Sequence, residues 1–129
     1  MLAGAPPRLE EPARGWGVTL PLYGLPPEAA GGGIGTYADL ANWAAALGRA
    51  GAAFVGINPV HAGFPEDAAA FSPYAPSHRR RLSVMHIAAG EGRLPLPPLV
   101  DYPSALSAKR AALEGEFSAA GDDREFSAW

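Results

Sequence analysis

Residues 16–57 spell out a strand, a helix and a second strand with clear punctuation between them, and this unit limits the fold more than any other feature of the chain. Trp16, Val18 and Leu20 alternate with smaller or polar residues until Pro21 removes a ladder donor, which predicts a strand over 16–20. Thr36 then precedes Tyr37, Leu40, Ala44 and Leu47 at helical spacing. Asp39 sits where it completes a capping box with Thr36, and Gly51 where a left-handed cap ends the helix. The apolar run 53–57, halted by Asn58 and Pro59, is too short for a helix and suits a buried strand. Two strands joined by one helix pair in parallel through a crossover, so the expected class is α/β.

In parallel α/β folds, ligands are met by the loops that leave the carboxyl ends of the strands. Here those are residues 23–35 and 58–81, the second long enough to expect a functional loop rather than a disordered insertion. Leu82, Val84 and Ile87 then suggest a short strand, followed by a proline-rich extended connection. Asp101 or Tyr102 opens a helix with Pro103 in its first turn, Leu106, Leu113 and Phe117 on one face, and Gly121 at its end. A further helix is expected from Asp122, with Glu125 completing a capping box; its break-off at the apolar Trp129 leads us to expect a piece of a longer chain. Residues 1–15 carry three prolines and no periodicity and read as a flexible tail, leaving 16–129 as the folding segment.

Composition closes several classes. The 129 residues suffice for one domain, and Leu, Ile, Val and Phe together number only 26, which predicts a thin core. No cysteine is present, which removes thiol catalysis and cysteine-ligated zinc and agrees with a reducing, cytoplasmic compartment. A formal charge of −3 gives no reason to expect nucleic acid as a partner. Neither a long apolar run nor a charged start followed by one occurs, so no membrane span or signal peptide is expected.

Candidate chemistry is sparse. The stretch Gly31-Gly32-Gly33-Ile34-Gly35 lacks the dinucleotide glycine spacing and any Gly-Lys-Ser/Thr ending, so nucleotide binding by a small α/β domain is a remote alternative to a loop of close backbone approach. His61, His78 and His86 are not spaced as a helical metal-ligand pair, and no metal site is expected. His61 follows the strand-ending Asn58-Pro59-Val60, where it either donates to a ligand hydroxyl or bonds backbone within the loop. The run His78-Arg79-Arg80-Arg81 is too short for a nucleic-acid surface; it is expected to be solvated, or to hold the loop through carboxylates or carbonyls. Glu66 and Asp67 are adjacent and diverge, so they cannot flank one bond as paired glycosidase carboxylates do. The two loops also carry Tyr23, Phe64, Phe71 and Tyr74, and aromatic faces stack on the C–H faces of sugars. Tyr74, stiffened by Pro73 and Pro76, is the best placed.

The succession WGVTLPLYGL, GGGIGTYADL, GAAFVGINPVHAGFP and FSPYAPSHRRRLSVMHI resembles the first barrel segments of the 4-α-glucanotransferases (amylomaltases), glycoside hydrolase family 77. The resemblance covers residues 16–87 and weakens towards Trp129. It implies a (β/α)8 barrel of the TIM type, of which this chain supplies the first β-α-β segment, the long loop and C-terminal helices. It also implies transfer of α-1,4-glucan segments to glucose or maltooligosaccharide acceptors by a retaining double displacement, with no organic cofactor. By the same resemblance Tyr74, with Ser72 and Pro73, sits in the glucan-binding cleft near the scissile bond, Asn58 and His61 line the end of the second barrel strand, and Asp39 is a structural helix-start acid. Thr36, Ser83, His86 and Ala88 stand where the family usually has Asp, Asn, Tyr and Asp, which bears on the packing of the third segment.

The family's nucleophilic Asp, acid/base Glu and third Asp belong to later strands, so the catalytic residues are expected beyond residue 129. A complete barrel needs roughly 200 to 250 residues, which agrees. The isolated chain is therefore expected to be inactive, and its open strand edges and apolar helix faces to leave it loose or aggregation-prone. A non-catalytic carbohydrate-binding remnant is the alternative.

Overall fold

The computed structural model describes residues 14–27, 33–67, 69–90 and 99–121. Strand β1 (Gly17–Leu20) pairs in parallel with β2 (Phe54–Ile57), Gly17 opposite Phe54 and Leu20 opposite Ile57, and α1 (Tyr37–Arg49) lies between them in the chain. The strands pack closely at Gly17, where a Cβ would fall 2.5 Å from the Phe54 carbonyl oxygen. Just ahead of them the Ala53 N–H donates to the Trp16 carbonyl at 2.8 Å.

Helix α1 begins at the capping box read from the sequence. Thr36 Oγ1 accepts the Asp39 N–H at 3.2 Å, while Asp39 Oδ2 accepts the Thr36 N–H at 2.8 Å and its hydroxyl at 2.6 Å. Gly51 follows the helix at φ 92°, the left-handed geometry that glycine adopts without a Cβ clash. Tyr37, Leu40, Ala44 and Leu47 are the half-buried positions of α1, as helical spacing requires.

Residues 58–81 are not a structureless connection. Strands β3 (His61–Ala62) and β4 (His78–Leu82) pair antiparallel within and just beyond that span, with β4 formed by the arginine run. The strand expected at Leu82, Val84 and Ile87 is displaced: β4 ends at Leu82, and Val84–His86 is a 3-10 turn. Ser83 causes the change, its hydroxyl accepting the Met85 N–H at 3.3 Å while the Ile87 N–H returns to the Val84 carbonyl at 3.1 Å.

Helix α2 (Tyr102–Ala120) is capped by Asp101, which accepts the Ser104 N–H at 3.2 Å and the Ser104 hydroxyl at 2.7 Å. Its buried line runs through Ala105 and Lys109 rather than through the larger apolar residues: Leu106 and Leu113 are half-buried and Phe117 is 69% exposed. The expected tail over most of its length, Gly31 and Gly32, and the helix from Asp122 lie outside the described residues.

Among the described residues the fold is α/β, with one β-α-β unit and one hairpin forming two separate two-stranded sheets; no third parallel strand joins β1 and β2. The core is thin. Among the described residues Leu22, Leu25, Pro27, Ile34, Ala89 and Ala105 are buried apolar side chains, and Thr36, Asp39, His86 and Lys109 are buried beside them. With so little apolar burial, the polar contacts decide which elements stay docked.

Candidate functional site

The 3-10 turn Val84–His86 is clamped between the start of α1 and the middle of α2. The Tyr37 hydroxyl donates to the Ser83 carbonyl at 3.0 Å, His86 Nδ1 lies 2.9 Å from the Gly35 carbonyl, and Lys109 Nζ donates to the Ile87 carbonyl at 2.5 Å. The Tyr37 and His86 rings meet edge to face, centroids 5.7 Å apart. A carbonyl only accepts, so Nδ1 carries the proton. Burial lowers the His86 pKa, opposed by the Gly35 bond and assisted by the Lys109 charge, which keeps the ring neutral at pH 7. Burial likewise lowers Lys109, against the pull of Glu116 and Asp39, and raises the Tyr37 hydroxyl. The Ser83 carbonyl and the His86 ring thus hold this turn to its neighbours.

That clamp fixes one wall of a cavity of about 190 Å³. The other walls come from Tyr23 after β1, from Pro59 and His61 after β2, and from Phe71 and Tyr102. The cavity therefore opens where the parallel strands end, as the α/β rule predicts. The Phe71 ring stacks on Tyr102 with centroids 4.3 Å apart and planes 8° from parallel, closing the loop against the start of α2. Burial, then the neighbouring Tyr23, raises the Tyr102 hydroxyl, so it stays a protonated donor. At this volume, below the roughly 300 to 1,000 Å³ of drug-sized ligand sites, the cavity suits one ring-sized group.

Of the five residues named from the sequence, His61, Ser72 and Pro73 line this cavity. Tyr74 is outside the lining and 68% exposed. Asn58 is also outside it, its Oδ1 accepting the Leu22 N–H at 2.6 Å and its Nδ2 donating to the Pro59 carbonyl at 2.8 Å, which ties together the exits of β1 and β2. Phe64, Phe71 and Tyr23 from the candidate loops also form the wall.

Sequence reasoning did not place Tyr102, Leu106 or His86 here. The available signal for Tyr102 was an aromatic residue at a helix start, beside its cap. Loop-holding by an arginine falls to Arg110 on α2, which donates to Glu66 Oε2 at 3.0 Å and to the Pro65 carbonyl at 3.4 Å. Asp67 is the carboxylate on the cavity wall among the described residues. No three of His, Cys, Asp and Glu gather among the described residues, and no helix there is long and apolar enough to cross a membrane.

A cavity lined by rings and hydroxyl groups beyond a parallel strand pair has the make-up of an α/β ligand site. The family model described as 4-alpha-glucanotransferase, glycoside hydrolase family 77, matches residues 20–129, and the chain belongs to this family. It is also 40% identical over 82 residues to a 4-alpha-glucanotransferase of Haemophilus influenzae. That similarity covers 64% of this chain and 11% of the relative, so the chain corresponds to a small part of that protein's length.

Proposed function

We propose that this chain forms the first segments of a (β/α)8 barrel in a 4-α-glucanotransferase, which moves α-1,4-glucan segments to glucose or maltooligosaccharide acceptors. The observation that carries this reading is the family match over residues 20–129, because every residue of the cavity wall falls within it. The parallel β1–β2 pair with α1 between them is the repeating unit of such a barrel, and further strands would cover its edges.

In this reading the described residues bind and orient the glucan, and the retaining chemistry is done by carboxylates outside these 129 residues. Retention needs two carboxyl groups about 5 to 5.5 Å apart across the bond. Among the described residues Asp39 and Asp101 cap helices, Glu66 pairs with Arg110, Glu116 accepts the Gly90 N–H and Glu114 lies outside the cavity wall, so that Asp67, which accepts the Ala69 N–H, is the carboxylate on it. Tyr74, with Ser72 and Pro73, would offer a ring face beside the cavity, and His61 a hydrogen bond to a sugar hydroxyl. Asn58 would support the site by fixing the loops.

The test is to incubate the full-length protein that carries these residues with maltotriose and separate the products. Glucose together with a ladder of longer maltooligosaccharides is expected, and hydrolysis alone, or no turnover, sinks the reading. Among the described residues Asp67 is the one carboxylate on the cavity wall, and a non-catalytic carbohydrate-binding remnant is the alternative, for which sugar binding without any transfer would be the sign.

A further inference from the structure

The run Arg79-Arg80-Arg81 serves neither the cavity wall nor the clamp around His86, and the hairpin gives it a distinctive shape. His61 pairs with Leu82 and Ala62 with His78, so two adjacent residues of β3 oppose the two ends of β4 and the three arginines have no partner on β3. The ends of this arch are pinned: the Ser77 N–H donates to the Ala62 carbonyl and the Ser83 N–H to the Val60 carbonyl, both at 2.9 Å. Inside it the Arg80 N–H donates to His78 Nδ1 at 3.1 Å. Bulges of this kind re-aim side chains, and here every residue of β4 is exposed.

Charge makes the arch more than a shape. None of the three guanidinium groups pairs with a carboxylate among the described residues, whereas Arg110 does. A chain of net charge −3 thus sets three of its ten basic residues side by side with no carboxylate partner among the described residues. Like charges so placed repel, and pinned ends keep the arch from relaxing by separation. An anion with several charges and several acceptor oxygens relieves this best. A phosphate monoester carries about −1.5 to −2 charges and three acceptor oxygens, which match the planar forks of neighbouring arginines better than a single carboxylate does.

We propose that the Arg79–Arg81 arch is a binding site for a phosphate group, free or esterified to a sugar. The arch runs along the rim of the cavity, since His61 on β3 and Leu82 at the end of β4 both line it. A phosphate ester on a glucan held in the cavity lies within reach of the arch; this sugar-borne source rests on the glucan reading above, and free phosphate does not.

The test is a footprint of the protein with the arginine reagent phenylglyoxal at constant ionic strength, read peptide by peptide by mass spectrometry, with exposed Arg49 as internal control. Sodium chloride, inorganic phosphate, glucose 6-phosphate and neutral maltotriose are the four additions. Phosphate and glucose 6-phosphate are expected to slow modification of Arg79, Arg80 and Arg81 several-fold relative to chloride while leaving Arg49 unchanged. Protection at lower concentration by the sugar phosphate identifies an ester-borne group; equal or better protection by inorganic phosphate identifies the free ion. Equal modification in chloride and in both phosphates overturns the site, as does protection by neutral maltotriose that matches the phosphates. Arch protection by phosphate, where the full-length protein turns over no maltooligosaccharide, leaves the anion site standing and removes only the glucan reading.

Discussion

The Asn58 amide oxygen accepts the backbone N–H of Leu22 at 2.6 Å, bridging the residues that follow the two parallel strands. Leu22 is fully buried, so water cannot replace the lost acceptor in a truncated side chain. Asn58→Ala should destabilise the protein by about 1 to 3 kcal/mol, the usual cost of an orphaned buried donor, whereas Asn58→Asp, which keeps an acceptor oxygen, should lose less. Denaturant midpoints of the three proteins decide it; an Ala variant as stable as the parent would show that the bridge contributes nothing.

Gly35 and Gly48 should respond to the same substitution with opposite signs. A Cβ on Gly35 would run into the Leu22 carbonyl oxygen and come within 2.8 Å of Leu25 Cβ, both held in the core. Gly35→Ala should therefore cost about 1 to 3 kcal/mol through overpacking and also disturb the carbonyl that holds His86. A Cβ on Gly48, inside α1, meets nothing within 4 Å, and Gly48→Ala should gain about 1 kcal/mol from helix propensity. Thermal midpoints moving in the same direction would refute the contrast.

The N-terminal cap of α1 should be worth more than an exposed one, because Thr36 and Asp39 are both only 2% exposed. Thr36→Ala removes the acceptor of the Asp39 N–H and the hydroxyl that donates to its carboxylate. A loss of about 1 to 2 kcal/mol is expected from urea titration, near the upper end for cap deletions. A Ser replacement should recover most of it.

Acid should loosen the clamp around the 3-10 turn. Burial holds the folded-state pKa of His86 below its ordinary 6.5, so the unfolded chain takes up the proton first as pH falls. The stability that the neutral ring contributes is fully present above about pH 6.5 and is lost as pH drops from there through the folded pKa. His86→Gln should flatten this part of the profile in unfolding midpoints taken across the acid range. An unchanged slope in the variant would assign the acid response to other groups.

What could be read in advance follows from how local each cause is. The cap at Thr36 and Asp39, the glycine stop at Gly51, and the strands flanking α1 depend on neighbours a few residues apart, and periodicity exposes them. Strand β4 escaped because Arg79, Arg80 and Arg81 show no apolar alternation; its pairing is set by where Ala62 and Val60 present their carbonyls. The buried line of α2 escaped for a related reason: Lys109 is drawn inward by the Ile87 carbonyl, a partner 22 positions away. His61, Ser72 and Pro73 lie on the cavity wall, whereas the Phe71–Tyr102 stack joins a loop to a helix across an intervening segment and leaves no trace in either stretch.

Tyr74 offers the sharpest separation of function from folding. Its ring is 68% exposed, outside the cavity lining, and adjacent to Pro73, which is in it. Little core contact is lost on truncation, so Tyr74→Ala should leave the thermal midpoint nearly unchanged, as surface substitutions do. If the ring provides a stacking face for glucan beside the cavity, the same substitution should lower kcat/KM of the full-length enzyme on maltooligosaccharides by the equivalent of about 1 to 3 kcal/mol. Phe71→Ala is the contrasting case, since it breaks the stack on Tyr102 and should lower stability together with substrate use. Unchanged kcat/KM in the Tyr74 variant would remove that ring from the substrate path and leave the cavity wall at Phe71 and Tyr102 to hold the sugar.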